Sequence, residues 1–331
     1  MVLVAACTSH ADPTVANPPA ERAFYFWRTT FALAPAERAA IDKLHVTRLY
    51  LRVFDIAWQD APAEVGKLAI ADAAPAGVDI VPVVFVRDEV FRKLPRERLR
   101  ELAATTWRDV AARLAGFATP HELQLDCDWT DSTRDAYFAF LRELRAVAKL
   151  RLSATIRLHQ VKYRERTGVP PVERGMLMFY NMGTFSADAA DRAIFDAASA
   201  ARYVGRIGDY PLPLDAALPI WSWTLHVRDE RVIGLLQSTD PGELAGLDFV
   251  THDGAYVATR TAFLHGELLR EGDVLKPEVM GPVETLTAAS MLQPHLAPTG
   301  AARTLALFDL SERNLTRHGI DHLEQTYRAV R

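Results

Sequence analysis

The sequence predicts a single (β/α)8 barrel, because short β-rich runs and amphipathic helical runs alternate eight times along the chain. Its 331 residues, of which 49% are hydrophobic, suffice for one domain of this class. We expect that domain to cover residues 23–331. The predicted strands are residues 23–31, 47–58, 78–88, 121–130, 151–162, 174–183, 218–227 and 302–311.

Helical periodicity accounts for segments that follow several of these strands. Segment 132–149 brings Tyr137, Leu141 and Leu144 to one face, and segments 34–45, 188–204 and 319–330 repeat the pattern. Strands that alternate with helices favour parallel pairing, which supports the barrel over an antiparallel sandwich.

One connection is far longer than the rest. Residues 229–301, between predicted strands 7 and 8, should form hairpins and a helix without a core of a second domain. Long loops at the active end of a barrel commonly wall the site, so we expect this insertion to restrict ligand choice. Its apolar residues should pack on its own hairpin and helix; they are Phe249, Tyr256, Phe263, Leu268 and Leu275.

The amino-terminal stretch "MVLVAAC" resembles the end of a bacterial lipoprotein signal peptide, with Cys7 as the lipidated residue. Residues 1–22 would then be a truncated signal and a flexible tether. The resemblance implies a protein that a lipid anchor holds in the cell envelope, on the periplasmic or outer-membrane face. A plain apolar terminus is the alternative.

Several function classes are disfavoured. The net charge of −4 is spread along the chain without a basic stripe, which argues against nucleic-acid binding. The histidines show no metal-ligand spacing, and no cofactor-binding motif is present, so we expect neither metal nor cofactor. We also expect a monomer.

Strand 4 carries the first candidate site. Alternation along "LQLDCDWT" places Gln124, Asp126 and Asp128 on one face, towards the barrel interior, with Leu125 and Cys127 facing the helices. Barrel active sites lie at the carboxyl ends of the strands, so Asp128 should be at the mouth. Neighbouring carboxylates raise one another's pKa, which suits acid–base chemistry. For Asp126, a purely structural role is an equal alternative.

Other strand ends add polar and aromatic groups. Arg157 and His159 should share a face of strand 5, where Arg157 either binds an anionic group or neutralises the aspartates. Strand 6 ends in Tyr180 and Asn181. Further candidates at strand ends are Asp55 and Asp309, and the tryptophans Trp27, Trp129 and Trp223, whose rings suit stacking on sugars.

The runs "LDCDWT" and "MLMFYNMG" resemble the paired motifs of family 18 glycoside hydrolases, the chitinases and their relatives. That resemblance implies a carbohydrate substrate, matches Asp126 and Asp128 to the motif aspartates, and matches Tyr180 and Asn181 to the second motif. The family's catalytic glutamate falls at Thr130, and its first aspartate at Leu123.

Two functions follow from this comparison. The first is hydrolysis of a polysaccharide or oligosaccharide, with Asp128 as catalytic carboxylate, Asp126 tuning it and Tyr180 orienting the sugar. Its partner would be Asp55, Asp309 or an insertion glutamate, Glu267 or Glu278. The second is a carbohydrate-binding lipoprotein that has the barrel without the acid.

Overall fold

A computed structural model describes residues 18–182, 192–237, 239, 241–244, 249–297 and 302–331. Eight parallel strands close into a barrel, since strand 1 pairs with both strand 2 and strand 8. The predicted (β/α)8 barrel is confirmed. Its strands, numbered 1 to 8 in chain order, are Glu21–Phe26, Arg48–Gln59, Asp79–Val86, Glu122–Asp126, Arg151–Arg157, Arg174–Met178, Leu214–Pro219 and Thr304–Phe308.

Helices surround the barrel and bury its outer face. Alternating residues such as Leu123, Leu125 and Cys127 face this helical layer and are fully buried. A second apolar cluster, with Tyr25 and Met176 among its members, fills the interior. The described helices of this layer are Pro35–Lys43, Asp88–Lys93, Leu99–Leu114, Arg134–Ala148, Leu158–Lys162, Arg164–Thr167, Ala197–Val204, Pro282–Leu292, Glu312–His318 and Ile320–Ala329.

The interior also contains a polar chain below the mouth. The Tyr25 hydroxyl donates to Oε1 of Gln124 at 2.5 Å, and Nε2 of Gln124 donates to Ser153 at 3.3 Å. Ser153 in turn donates to Glu122 at 2.5 Å, while burial raises the pKa of the Glu122 carboxyl. Because each of these four side chains has a hydrogen-bond partner, the chain of hydrogen bonds fixes the polar interior.

Strand 7 was placed wrongly from the sequence. Residues 218–227 span two elements, because the barrel strand is Leu214–Pro219 and Ser222–Arg228 belongs to a separate sheet. Both runs are apolar and lie only two residues apart, so hydropathy could not divide them. Pro219, which has no N–H to donate, ends the barrel strand. The insertion therefore begins near residue 222 and not at residue 229.

The insertion is a small antiparallel sheet with a hairpin beside it. Its five strands are, in spatial order, Arg231–Gln237, Ser222–Arg228, Val274–Val279, Ala255–Ala258 and Phe249–His252. The short helix Pro241–Leu244 and the hairpin Ala262–Leu264 with Glu267–Leu269 complete its described part. Helix Pro282–Leu292 packs on Ile320–Ala329 and thus belongs to the barrel layer.

A compact apolar cluster holds the insertion together. It comprises Leu236, Leu244, Leu264, Leu269 and Leu275, with Phe249 and Tyr256 packed against it. Two residues that we expected to be buried lie outside this cluster. Phe263 and Leu268 are directly opposite each other in the hairpin and are 75% and 42% exposed, because they face away from it.

Residues 1–17, including Cys7, lie outside the described part of the chain. Among the described helices, none has the length and apolar character that a bilayer-spanning segment needs.

Candidate active site

A cavity of about 560 Å³ opens at the carboxyl ends of the barrel strands. It brings together most of the residues that the sequence singled out, from strands that are distant along the chain. The walls are formed by Trp27, Arg28, Asp55, Phe85, Asp126, Asp128, Arg157, Tyr180, Asn181, Trp221, Ser222, Trp223, Phe308, Asp309, Ser311, Arg313 and Asn314. Its size falls within the usual range for small-molecule sites.

Arg157 links the two aspartates of strand 4. Its Nε donates to Oδ1 of Asp128 at 2.5 Å, and its Nη2 donates to Oδ1 of Asp126 at 3.2 Å. Thr155, one step lower on the same face of strand 5, also donates to Asp126, at 2.6 Å. The side chain of Asp126 is only 6% exposed, whereas that of Asp128 is 54% exposed.

Burial dominates the electrostatics of this cluster. It raises the pKa of the Asp126 carboxyl, and the Asp128 charge adds to that effect, while the Arg157 guanidinium opposes it. The two carboxylates in turn raise the pKa of Arg157 and keep it charged. One cation therefore balances two carboxyl groups, and the exposed Asp128 retains one oxygen without a protein donor among the described residues.

Asp309 follows strand 8 and faces the same cavity. Burial raises the pKa of its carboxyl to about 6, although the nearby Arg28 charge lowers it. Nδ2 of Asn314 donates to Oδ1 of Asp309 at 2.9 Å. Asn314 lies in helix Glu312–His318, whose first turn is capped by Ser311, so this helix fixes the carboxyl. The sequence named Asp309 as a strand-end candidate but gave no signal for Asn314.

Asp55 is paired within its own strand. Arg52 donates to both of its oxygens at 2.7 Å. Residues three apart normally face opposite sides of a strand, but the register of strand 2 shifts between Arg52 and Phe54. This bulge turns both side chains to one side, which no sequence pattern indicated. Asp55 is thus held in the cavity wall by two hydrogen bonds from Arg52.

Aromatic rings form a continuous wall of the cavity. Trp221 packs edge-on against Tyr180, with ring centroids 4.7 Å apart, and against Trp223 at 6.0 Å. Trp27 lies 5.2 Å from the ring of Phe308 on the strand 1 side. Trp221 was missing from our site prediction, although the run "WSW" contained the signal. Such rings suit the apolar C–H faces of sugars.

Two sequence-predicted residues lie elsewhere. Trp129 is fully buried in the helical layer, where its Nε1 donates to the Thr167 carbonyl at 2.8 Å and its ring stacks on Tyr137. Its assignment to sugar binding is therefore wrong. The alternation that turns Asp128 inwards also turns residue 129 outwards.

His159 does not continue the inward face of strand 5. The strand ends at Arg157, and His159 lies in the following helix, Leu158–Lys162. It is exposed and lines a separate cavity of about 310 Å³ beside the first. Burial of part of the ring lowers the pKa of His159.

Glu278 of the insertion joins two walls of the cavity. Its Oε2 accepts hydrogen bonds from Nε1 of Trp223 at 3.0 Å and from the backbone N–H groups of Ala193 and Ile194 at 3.0 and 3.2 Å. The Ile194 carbonyl accepts from the backbone N–H of Asn181 at 2.8 Å. Glu278 is therefore the shared acceptor that connects Trp223 to the segment after strand 6. Glu267, in the exposed hairpin, does not line the cavity.

By sequence, no family model and no curated protein matches this chain. Solved structures do. The spore cortex-lytic enzymes SleL of Bacillus cereus and Bacillus megaterium QM B1551 each superpose with a TM-score of 0.56 and 11% identity. They cover 96% of this chain, and 76% and 75% of their own. A GH113 β-1,4-mannanase covers 95% of this chain and 100% of its own, at 9% identity and a TM-score of 0.48.

The chain thus shares the (β/α)8 barrel fold with the SleL structures. The likeness is one of fold at low identity and does not single out the family 18 enzymes, so that narrower resemblance stays a prediction. Within the described residues, no group of three or more histidine, cysteine, aspartate or glutamate side chains is arranged to hold a metal ion.

Proposed function

We propose that the protein is a glycoside hydrolase acting on a polysaccharide or oligosaccharide. Asp309 protonates the leaving group, and Asp128 is the second carboxylate, acting as base or nucleophile. Asp126 tunes Asp128 through their shared Arg157, and Tyr180 and Asn181 orient the sugar. Glycosidases of this kind need two carboxyl groups with different protonation on either side of the scissile bond.

The observation that carries the proposal is the contrast between Asp309 and Asp128 within one cavity. Burial raises the pKa of Asp309 to about 6, so it holds a proton at higher pH than an ordinary aspartate does. Asp128, by contrast, is exposed and ion-paired with Arg157. The other carboxyl groups suit the acid role less well, because Asp55 accepts from Nε and Nη2 of Arg52 and Glu278 is not among the described residues that line the cavity.

The substrate class follows from the aromatic wall and from the neighbours. Trp27, Trp221 and Trp223 present ring surface beside carboxylates and an amide, a combination that suits hydroxyl-rich rings. Among the structural neighbours are two spore cortex-lytic enzymes, which supports a carbohydrate of a cell envelope as the substrate.

A carbohydrate-binding protein without hydrolysis is the second candidate. Two observations favour it: Thr130 stands where the family 18 motif has its glutamate, and Arg157 donates to Asp128 at 2.5 Å. An aspartate occupied in this way contributes less to proton transfer than a free one.

A polysaccharide panel tests the two candidates. Wild type should release reducing ends from at least one glycan, and Asp128→Asn and Asp309→Asn should each lose about 100-fold or more of that activity. Asp131→Asn is the matched control, because Asp131 is exposed, pairs with Arg166 and lies outside the cavity. Retained activity in both variants would refute the assignment. Binding of a glycan by wild type without any cleavage would favour the second candidate.

We further propose that the protein is a monomer anchored to the cell envelope through a lipid on Cys7. The support is the lipoprotein-like stretch ending at Cys7, which lies outside the described residues. Protein expressed with its native leader should partition into detergent, and Cys7→Ser should release it. An unmodified amino-terminal peptide in mass spectra of the native protein would rule the anchor out.

A further inference from the structure

A second cavity, of about 310 Å³, adjoins the proposed active site. The two share four wall residues: Asp128, Arg157, Tyr180 and Asn181. Asp128 therefore lies where the cavities meet, and a ligand that passes it extends from one cavity into the other. The other described residues that line the smaller cavity are Leu158, His159, Met182 and Tyr203.

Polar groups in the smaller cavity are available to a ligand. The His159 imidazole, the Tyr203 hydroxyl and the Asn181 carboxamide line it, and none of them bonds to another side chain or to backbone among the described residues. In the larger cavity, by contrast, Asp55, Asp126 and Asp309 all accept hydrogen bonds from protein donors. Convergent polar groups without protein partners are typical of a site that binds a polar ligand.

The charge of the two cavities also differs. Of the described residues, four aspartates and three arginines line the larger one. In the smaller one, Asp128 pairs with Arg157, and Lys162 is adjacent, with its Nζ 4.9 Å from the centre of the Tyr203 ring. The Lys162 ammonium forms no ion pair within the described residues; its contacts are the rings of Tyr163 and Tyr203. Within the described residues, this ammonium is a positive charge without an ion-pair partner next to the smaller cavity.

We propose that the smaller cavity binds a second sugar unit, one that bears a carboxylate. The first unit then lies in the larger cavity, on the other side of Asp128. His159, Tyr203 and Asn181 bond to its hydroxyl groups, and Lys162 attracts its carboxylate. The inference rests on the proposed function only in taking the ligand to be a glycan. The bond between the two units then lies beside Asp128.

Binding of matched oligosaccharides tests this site. The proposal does not specify which sugar occupies the larger cavity, so two pairs of oligosaccharides serve as probes. One pair is chitotetraose and its counterpart in which N-acetylglucosamine alternates with the lactyl-bearing N-acetylmuramic acid. The other is cellotetraose and its glucuronic acid counterpart. Titration calorimetry in an Asp309→Asn background measures affinity without depleting the ligand by cleavage.

The acidic member of at least one pair should bind more tightly than its neutral counterpart. Lys162→Met should weaken the acidic ligand by roughly two- to fivefold and leave the neutral one unchanged, as for an exposed ion pair. Tyr203→Phe should weaken both by a similar factor, through one lost hydrogen bond. Lys43→Met is the control, because Lys43 is exposed on helix Pro35–Lys43 and does not line either cavity.

Equal affinities within both pairs, or no binding to any of the four probes, would overturn the proposal. So would an equal loss of acidic and neutral ligands in Lys162→Met, which would indicate a structural effect. These outcomes are separable from those for hydrolysis. If the protein binds the probes as expected but cleaves no glycan, the second sugar site is supported and the proposed hydrolysis is refuted. If it cleaves a glycan but binds the acidic and neutral probes equally, only the second sugar site is refuted.

Discussion

The Nε–H of Arg157 donates a hydrogen bond to Asp128 at 2.5 Å. The Arg157 side chain is only 16% exposed, so a largely buried cation holds an exposed carboxylate. Its Nη2 reaches the buried Asp126 at 3.2 Å. The same guanidinium thus bonds to both aspartates. Its removal should affect stability as well as any chemistry at the mouth.

We predict that Arg157→Met destabilises the protein by about 3–5 kcal/mol near neutral pH, because it leaves a buried carboxylate without its counter-charge. The loss should shrink on acidification. Burial already raises the pKa of Asp126, and without Arg157 it rises further, so Asp126 takes up a proton and the unpaired charge disappears. Denaturant unfolding at a series of pH values measures this.

Arg166→Met is the comparison, since Arg166 pairs with the exposed Asp131 at 2.9 Å. Arg166→Met should lower the free energy of unfolding by less than about 1 kcal/mol at every pH. Equal losses in the two variants would show that Arg157 does not compensate a buried charge.

Asp309 should make the protein less stable at high pH. Its pKa is about 6 in the folded protein, against about 3.9 for an unfolded aspartate. The folded state therefore binds the proton more tightly, and the stability that this supplies below about pH 4 is lost as the pH rises through 6. Asp309→Asn keeps the acceptor for Asn314 and removes the charge. It should stabilise the protein at pH 8 by up to about 3 kcal/mol and have little effect near pH 4.

The same group predicts how activity depends on pH. If protonated Asp309 is the acid, kcat/KM should fall tenfold per pH unit above about pH 6. A profile measured on the best glycan of the panel checks this. An alkaline limb centred several units higher, with Asp309→Asn still active, would assign the acid role to another residue.

Much of this site was readable from the sequence, because two-residue alternation and the location of barrel sites decide most of it. Those two rules placed Asp126 and Asp128 inside and at the mouth, and alternation would also have excluded Trp129 had it been applied one residue further. The sequence misplaced strand 7 because two apolar strands are joined by Ile220 and Trp221, which are apolar as well, so hydropathy shows no boundary between them.

The rest depended on contacts between distant elements. The bulge that turns Arg52 towards Asp55 and the helix that brings Asn314 to Asp309 leave no periodic signal. Nor does the sequence show that Glu278, on an insertion strand, accepts from Trp223 and from the segment after strand 6. Such long-range partners decide which carboxyl group holds a proton.

We predict that Glu278→Ala lowers both stability and sugar affinity, because Trp223 and the backbone of Ala193 and Ile194 lose their shared acceptor. A buried donor left unsatisfied costs roughly 1–3 kcal/mol. Glu278→Gln should lose less stability and less sugar affinity, since its amide oxygen still accepts these hydrogen bonds. Tryptophan fluorescence, unfolding and glycan binding together measure these effects.

Glu267→Ala, at an exposed position of the same insertion, should behave like wild type in all three measurements. A Glu278→Ala protein with unchanged affinity would show that the insertion does not orient Trp223 for the ligand.

The last prediction concerns removal of the insertion, and the structure defines where to cut. Ser222 and Val279 are directly opposite each other in antiparallel register, and the N–H of Met280 donates to the Ser222 hydroxyl at 3.1 Å. Opposed residues of this kind have Cα atoms about 5 Å apart, so two residues can join them. A wider deletion would remove helix Pro282–Leu292, which the barrel layer needs.

We expect a protein in which residues 223–278 are replaced by Asn-Gly to retain a cooperatively folding barrel, because the insertion has its own apolar cluster. It should lose preference among glycans of different length, since one wall of the cavity is gone. Trp223→Ala separates the loss of that ring from the loss of the wall. If the shortened protein and wild type prefer the same chain length with equal affinity, the insertion has no part in ligand choice. If Trp223→Ala alone reproduces the change, the ring and not the wall selects the glycan.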